Sequence, residues 1–275
     1  MNLKPNAIYD FSSWEDNIKW DEMTGATQPL AVIMRASIQG AGTRTRFEDV
    51  TAVSYVGECK KRGIKTGLYH FLSPNGIAEQ AALFLSVWNK CGGADLAPIL
   101  DVEIDLNASY PLKDSRGRIV GSTIGNLVWQ GHVKTYIDLI SAGTGRTPII
   151  YTNKKYWAFV MTKNLIGQLV PPVWTSTYPL WVAQYPDNPD TAKAPAELPN
   201  GWDEWIMWQY SEKGRSNGFL ANDLNIASAA FAVELGEIVI PPPDEPPVVS
   251  AYPDSLLVSP VVDGVTLAQV EYVKK

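Results

Sequence analysis

The chain has 275 residues, 45% hydrophobic and 19% charged, a balance that suits a folded protein with a large core and excludes a disordered or fibrous one. A formal net charge of −6 with scattered Lys and Arg leaves no basic surface for nucleic acid or an anionic membrane. No apolar run reaches the roughly 18 residues of a membrane span, and Met1-Asn2-Leu3-Lys4-Pro5-Asn6 lacks the apolar core of a signal peptide.

Short apolar runs recur at Ala7 to Phe11, Ala31 to Ala36, Thr66 to Phe71, Ala97 to Glu103, Pro148 to Tyr151, Leu180 to Tyr185 and Trp205 to Tyr210. Such runs are continuous rather than alternating, as expected of parallel strands covered on both faces. Helical patterns lie between them: Glu48 to Arg62 with Gly63 as its stop, Gly76 to Cys91 before Gly92-Gly93, and Asn126 to Ser141 ending at Gly143. The stretch Asp105 to Ser122, rich in Gly, Ser and charge, is predicted as a long loop after the fourth strand. Beyond Tyr151 the prolines at 171, 172, 179, 186, 189, 195 and 199 break any long helical periodicity.

The expected fold is therefore α/β: an irregular (β/α)8-type, TIM-like barrel with reduced helices in its second half. Residues 1–236 form it. Residues 237–247 contain Pro241-Pro242-Pro243-Asp244-Glu245-Pro246-Pro247 and are expected to be a stiff linker. The tail, 248–275, is too short for a core of its own; it docks on the barrel, pairs with another chain or begins a further module. Cys59 and Cys91 fall late in predicted helices and read as two buried thiols rather than a disulfide. Two histidines, His70 and His132, without a Cys-x-x-Cys or His-Glu-x-x-His cluster, give no ordinary zinc site. Glycine-rich phosphate loops and a Gly-x-Ser-x-Gly elbow are absent too, so no metal or cofactor is expected.

The chemistry concentrates in carboxylates. In Pro98-Ile99-Leu100-Asp101-Val102-Glu103 an apolar strand ends in two acids, and the period of two places both on one face with Cα atoms roughly 6.6 Å apart. Like charges so placed push one pKa upward, giving a protonated acid beside an ionised partner, the pair that glycosidic cleavage needs. A strand running out into solvent is the bland alternative, but the C-terminal end of a barrel strand is where barrel enzymes build their sites. Asp10 ends the first strand and Asp223 lies near the close of the domain. Each reads alone as a turn or cap residue, yet all four acids converge if strands one, four and eight share a mouth.

The 10 Trp and 12 Tyr supply faces for stacking on sugar rings, although a large aromatic more often fills a core. Tyr69, Tyr151, Trp181, Tyr185 and the Trp208-Gln209-Tyr210 segment fall at strand ends, where they would line a saccharide groove. His70 is open to two readings, a hydrogen-bonded structural residue or a substrate contact, and serves least well as a catalytic base.

The order of these segments resembles glycoside hydrolase family 25, lysozymes of fungal, bacterial and bacteriophage origin. The segments are Asp10-Phe-Ser-Ser-Trp14, Met34-Arg35-Ala36-Ser37, Gly67-Leu-Tyr69-His70-Phe71 and Leu100-Asp101-Val-Glu103, then Pro148-Ile-Ile-Tyr151, Leu180-Trp181-Val-Ala183, Trp208-Gln209-Tyr210-Ser211 and Asp223-Leu-Asn225. The resemblance implies an N-acetylmuramidase that cuts the β-1,4 bond between N-acetylmuramic acid and N-acetylglucosamine. It makes Glu103 the proton donor, Asp101 its partner, and Asp10 and Asp223 further acids of the pocket. Tyr69, Tyr151, Trp181, Gln209, Arg35 and His70 are then its substrate contacts. Two departures touch fine specificity: Glu15 stands where relatives usually have Gln, and Arg44-Thr45-Arg46 where they often carry an Asp.

On this reading Glu103 is held protonated by the Asp101 charge and partial burial. Asp101 either supports C1 or orients the substrate's own 2-acetamido group, with retention through substrate assistance the favoured course. The expected partner is a peptidoglycan glycan strand, met by a monomer that reaches the bacterial wall as a released or particle-borne enzyme. A chitinase-like barrel is disfavoured because Ala97-Pro98-Ile99-Leu100 lacks spaced aspartates. The alternatives are a virion structural protein carrying a lysozyme domain, or a non-catalytic wall-binding module.

Overall fold

A computed structural model describes residues 7–235 apart from 16–17, 41–44, 192 and 215–221, together with Val261–Val262 and Val265–Thr266. The chain divides into two compact units, Met1–Ile240 and Pro241–Lys275. In the second, Val261–Val262 pairs antiparallel with Val265–Thr266; the predicted linker and the rest of the tail lie outside the described residues.

In the first unit the strands are β1 (Ala7–Phe11), β2 (Ala31–Gln39), β3 (Arg46–Glu48), β4 (Lys65–Phe71), β5 (Ile99–Asp101), β6 (Pro111–Lys113) and β7 (Ile119–Ser122). They continue with β8 (Ile149–Thr152), β9 (Thr162–Lys163), β10 (Leu169–Val170), β11 (Leu180–Ala183), β12 (Met207–Gly214) and β13 (Asn222–Ala227). The helices are α1 (Ala52–Arg62), α2 (Ile77–Lys90), α3 (Leu106–Ser109), α4 (Asn126–Thr144), α5 (Lys154–Trp157) and α6 (Ala229–Glu234). The main sheet runs β1-β13-β12-β11-β8-β5-β4-β2, and β1 pairs with β2 to close an eight-stranded barrel. Antiparallel to β2, β3 pairs with its end from Ser37 to Gln39. This is the TIM-like barrel with few helices in its second half that the sequence predicts. Among the described residues no helix is long and apolar enough to cross a membrane.

Three expectations need correction. The last strand is antiparallel to both neighbours, β1 and β12, so its beginning, not its end, stands at the mouth where parallel strands finish. The predicted loop 105–122 holds α3 and the β6–β7 hairpin. Asp105 caps the helix by accepting from Ala108 N–H, and Asp114 accepts from Arg116 and Arg118 N–H to close the hairpin turn. Finally, α4 passes through Gly143 and stops at Gly145, whose φ of 67° suits glycine. Gly143 is there for packing: a Cβ on it would come within 2.6 Å of Leu85 on α2.

Parity along the strands sorts the core. Ile8, Ile33, Ile99, Ile149, Trp181 and Met207 fill the inside of the barrel, while Tyr9, Val32, Leu68, Leu100, Ile150 and Val182 pack outward under the helices. On α4 the buried face is Trp129, Val133, Tyr136, Ile137 and Ile140, the i, i+4, i+7 spacing of a core-facing stripe. Each fully buried side chain of this size contributes about 1.5–3 kcal/mol. Cys59 and Cys91 are both buried and free.

Candidate active site

One step up each strand from the inner apolar layer, period two delivers a polar layer. Ile8 is followed on the same face by Asp10, Gly67 by Tyr69, Ile99 by Asp101, Ile149 by Tyr151 and Met207 by Gln209. These residues, with Glu103, Trp181 and Asp223, line one pocket at the C-terminal mouth. Asp223 reaches it because its antiparallel strand sets it directly opposite Asp10 in the ladder. All four predicted acids, and Tyr69, Tyr151, Trp181 and Gln209, are thus brought together.

His70 and Arg35 are not among the pocket's lining residues. His70 follows Tyr69, so its side chain emerges on the outer face of the barrel wall. There it is fully buried, with Nδ1 2.8 Å from Ser37 Oγ, Nε2 2.9 Å from Gln80 Oε1 on α2, and its ring stacked on Tyr136 of α4. Arg35 is turned toward Asp49, its Nη2 2.9 Å from Oδ2.

Gln209 organises the pocket. Its Oε1 accepts from Tyr151 Oη at 2.6 Å and from Tyr185 Oη, which fixes the amide so that Nε2 donates to Asp10 Oδ2 at 3.1 Å and Asp223 Oδ2 at 3.2 Å. Asn225 adds a second arm: it accepts from Trp181 Nε1 at 2.9 Å and donates to Asp10 Oδ2 at 2.6 Å. From sequence Tyr185 is expected to line the saccharide groove, whereas Asn225 has no expected role at the site. The available signal was parity, since Asn225 shares a face with Asp223.

The four acids do not titrate alike. Burial raises Asp10 to about 6, opposed by the hydrogen bonds from Asn225 and Gln209. Burial and then the Asp10 charge carry Asp223 to about 8. Burial, then Glu103 and Asp10, hold Asp101 well above the carboxylate range. Glu103 rises to about 7, through burial first and then the charges of Asp10 and Glu212, while a hydrogen bond from Tyr151 acts in the opposite sense. Asp10, at about 6, is therefore first to ionise, ahead of Glu103 at about 7 and Asp223 at about 8. For Glu103, burial is the larger of the two expected causes, and the leading charge is that of Asp10 rather than Asp101. Asp101 Oδ1 is buried without a hydrogen-bond partner. Among the described residues no three His, Cys, Asp or Glu side chains are grouped to hold a metal ion.

A protonated carboxylic acid near an ionised carboxylate, in a pocket walled by Tyr and Trp, is equipped to protonate a glycosidic oxygen and stabilise the positive charge that follows. Fold and pocket together define a glycoside hydrolase. The chain belongs to the Glycosyl hydrolases family 25, whose pattern matches residues 9–219. It is 26% identical over 216 residues to lysozyme M1 of Streptomyces globisporus, spanning 76% of this chain and 63% of that protein. An N,O-diacetylmuramidase of Chalaropsis sp is 28% identical over 229 residues, 79% of this chain and 94% of the relative. The spore cortex lytic enzyme SleM of Clostridium perfringens shares the fold with a TM-score of 0.62 at 24% identity, over 83% of this chain and 69% of its own.

Proposed function

We propose that this protein hydrolyses the β-1,4 bond between N-acetylmuramic acid and N-acetylglucosamine in bacterial peptidoglycan, with Glu103 as the acid. The observation that carries the reading is a half-buried Glu103 raised to about 7, beside a cluster whose first group to ionise is Asp10. The muramidase names of the relatives in its family support the substrate.

Glu103 protonates the leaving oxygen as positive charge grows at C1. Asp10, fixed by Asn225 and Gln209, supplies the compensating negative charge. Asp101 fits the orienting role: its unpartnered Oδ1 accepts the N–H of the substrate's 2-acetamido group, which turns the acetamido oxygen toward C1 and favours retention. Tyr69, Tyr151 and Trp181 shape the sugar site, and the enzyme acts at the bacterial wall.

The test is digestion of purified cell walls followed by analysis of new reducing ends. Muramic acid at the reducing end is expected; glucosamine there would reassign the bond cleaved, and no new ends would overturn the proposal.

A further inference from the structure

Beside the carboxylate pocket, the ends of β1 and β2 and the turn after β3 enclose a second concavity of about 360 Å³. Three side chains along it are large, apolar and open to solvent: Trp14 is 82% exposed, Phe47 53% and Val50 85%. Such clusters on a folded surface mark binding sites.

Its floor is a constructed ion pair. The Arg35 side chain is 12% exposed and the Asp49 side chain wholly buried. Asp49 is fully committed: Oδ2 accepts from Ser13 N–H and Arg35 Nε, each at 3.0 Å, and Oδ1 accepts from Thr51 N–H at 3.1 Å and Thr51 Oγ1 at 2.7 Å. Arg35 Nη2 also donates to Ser13 Oγ at 3.0 Å, whereas Nη1 has no hydrogen-bond partner among the described residues. Glu48, the remaining acid of the concavity, is paired with Lys90. The groove thus offers a pre-oriented guanidinium edge between apolar faces, and the Arg35 charge is felt at Asp101 and Tyr69 in the neighbouring pocket.

An acidic peptide with small apolar residues matches, in charge and in surface, a guanidinium edge set among apolar side chains. Building on the peptidoglycan reading above, we infer that this groove binds the peptide stem carried by the muramic acid unit. A stem carboxylate meets Arg35 Nη1, and alanyl methyl groups lie on Phe47 and Val50. Trp14 closes the rim nearest the sugar pocket. The groove therefore selects glycan that still bears its peptides.

The test compares intact peptidoglycan strands with strands whose peptides have been removed by an amidase. In the double variant Trp14→Ala, Phe47→Ala, KM on intact strands rises about tenfold, while kcat on both substrates and KM on stripped strands stay unchanged. Both positions are exposed, so folding is spared. Val50→Glu, which sets a like charge in the groove, raises KM more on intact strands than on stripped ones, whose muramic acids keep only a lactyl carboxylate, by a factor that shrinks with added salt. Equal losses on both substrates, or no change on either, would overturn the inference. A wild-type enzyme inactive on both would instead overturn the peptidoglycan reading.

Discussion

Two buried polar clusters start one residue apart on β4. Tyr69 faces into the barrel and borders four carboxylic acids; His70 faces out and joins Ser37, Gln80 and Tyr136 under the helices. The outer cluster is satisfied at every polar atom except Tyr136 Oη. Both His70 ring nitrogens have partners, and Gln80 Nε2 donates to Ser73 O and Asn75 O, each at 2.7 Å. The inner cluster is not, since acids are crowded out of water and Asp101 Oδ1 is left bare. A satisfied network stabilises the fold, while a frustrated one stores interactions for a substrate.

The comparison can be broken at several points. Glu103→Gln is expected to lower turnover on purified peptidoglycan by a factor on the order of 10² to 10⁴, with melting temperature unchanged or raised. Near-normal turnover would remove Glu103 from its role. Asp10→Asn should lower kcat on the order of 10²-fold through loss of the compensating charge. It should also shift the alkaline limb of the surviving activity to lower pH, because Asp10 is the largest charge raising Glu103.

His70→Asn belongs to the other cluster. Thermal unfolding should report a loss of about 1–3 kcal/mol from its unpaired partners, with KM untouched; a changed KM would make His70 a substrate contact after all. Burial lowers its pKa to about 4. The wild type therefore has this stability in full above the ordinary histidine range and loses it as pH falls toward 4, and the variant should lose less. Asp223→Asn should change stability with the opposite sign. A folded pKa of about 8 favours the protonated form, so the wild type is progressively destabilised as pH rises from the ordinary carboxylate range to about that value. The variant should gain in melting temperature at pH 9 relative to wild type, and little at pH 5.

Much of this was readable from sequence. Continuous apolar runs gave the barrel, and acids two residues apart at a strand end gave Asp101 and Glu103. Period two also carried information that went unused: Tyr69 and His70 are adjacent in a strand, so they cannot both face the pocket. The rest depends on distant pairings that leave no local trace. The reversed direction of β13 brings Asp223 opposite Asp10, Asp49 captures Arg35 from the far side of the β2–β3 hairpin, and Gly143 is explained by Leu85 on another helix. The strand expected over 97–103 is shorter because the ladder ends at Asp101, beyond which Val102 N–H bonds to Tyr151 O at 2.9 Å and Val102 O accepts from Thr152 Oγ1 at 2.7 Å.

The central claim is that burial and Asp10 keep Glu103 protonated near neutrality. The pH dependence of kcat/KM on purified peptidoglycan tests it most directly. Activity should fall as pH rises through about 7, following loss of the Glu103 proton. Activity that stays level or climbs from pH 7 to pH 9 would contradict it.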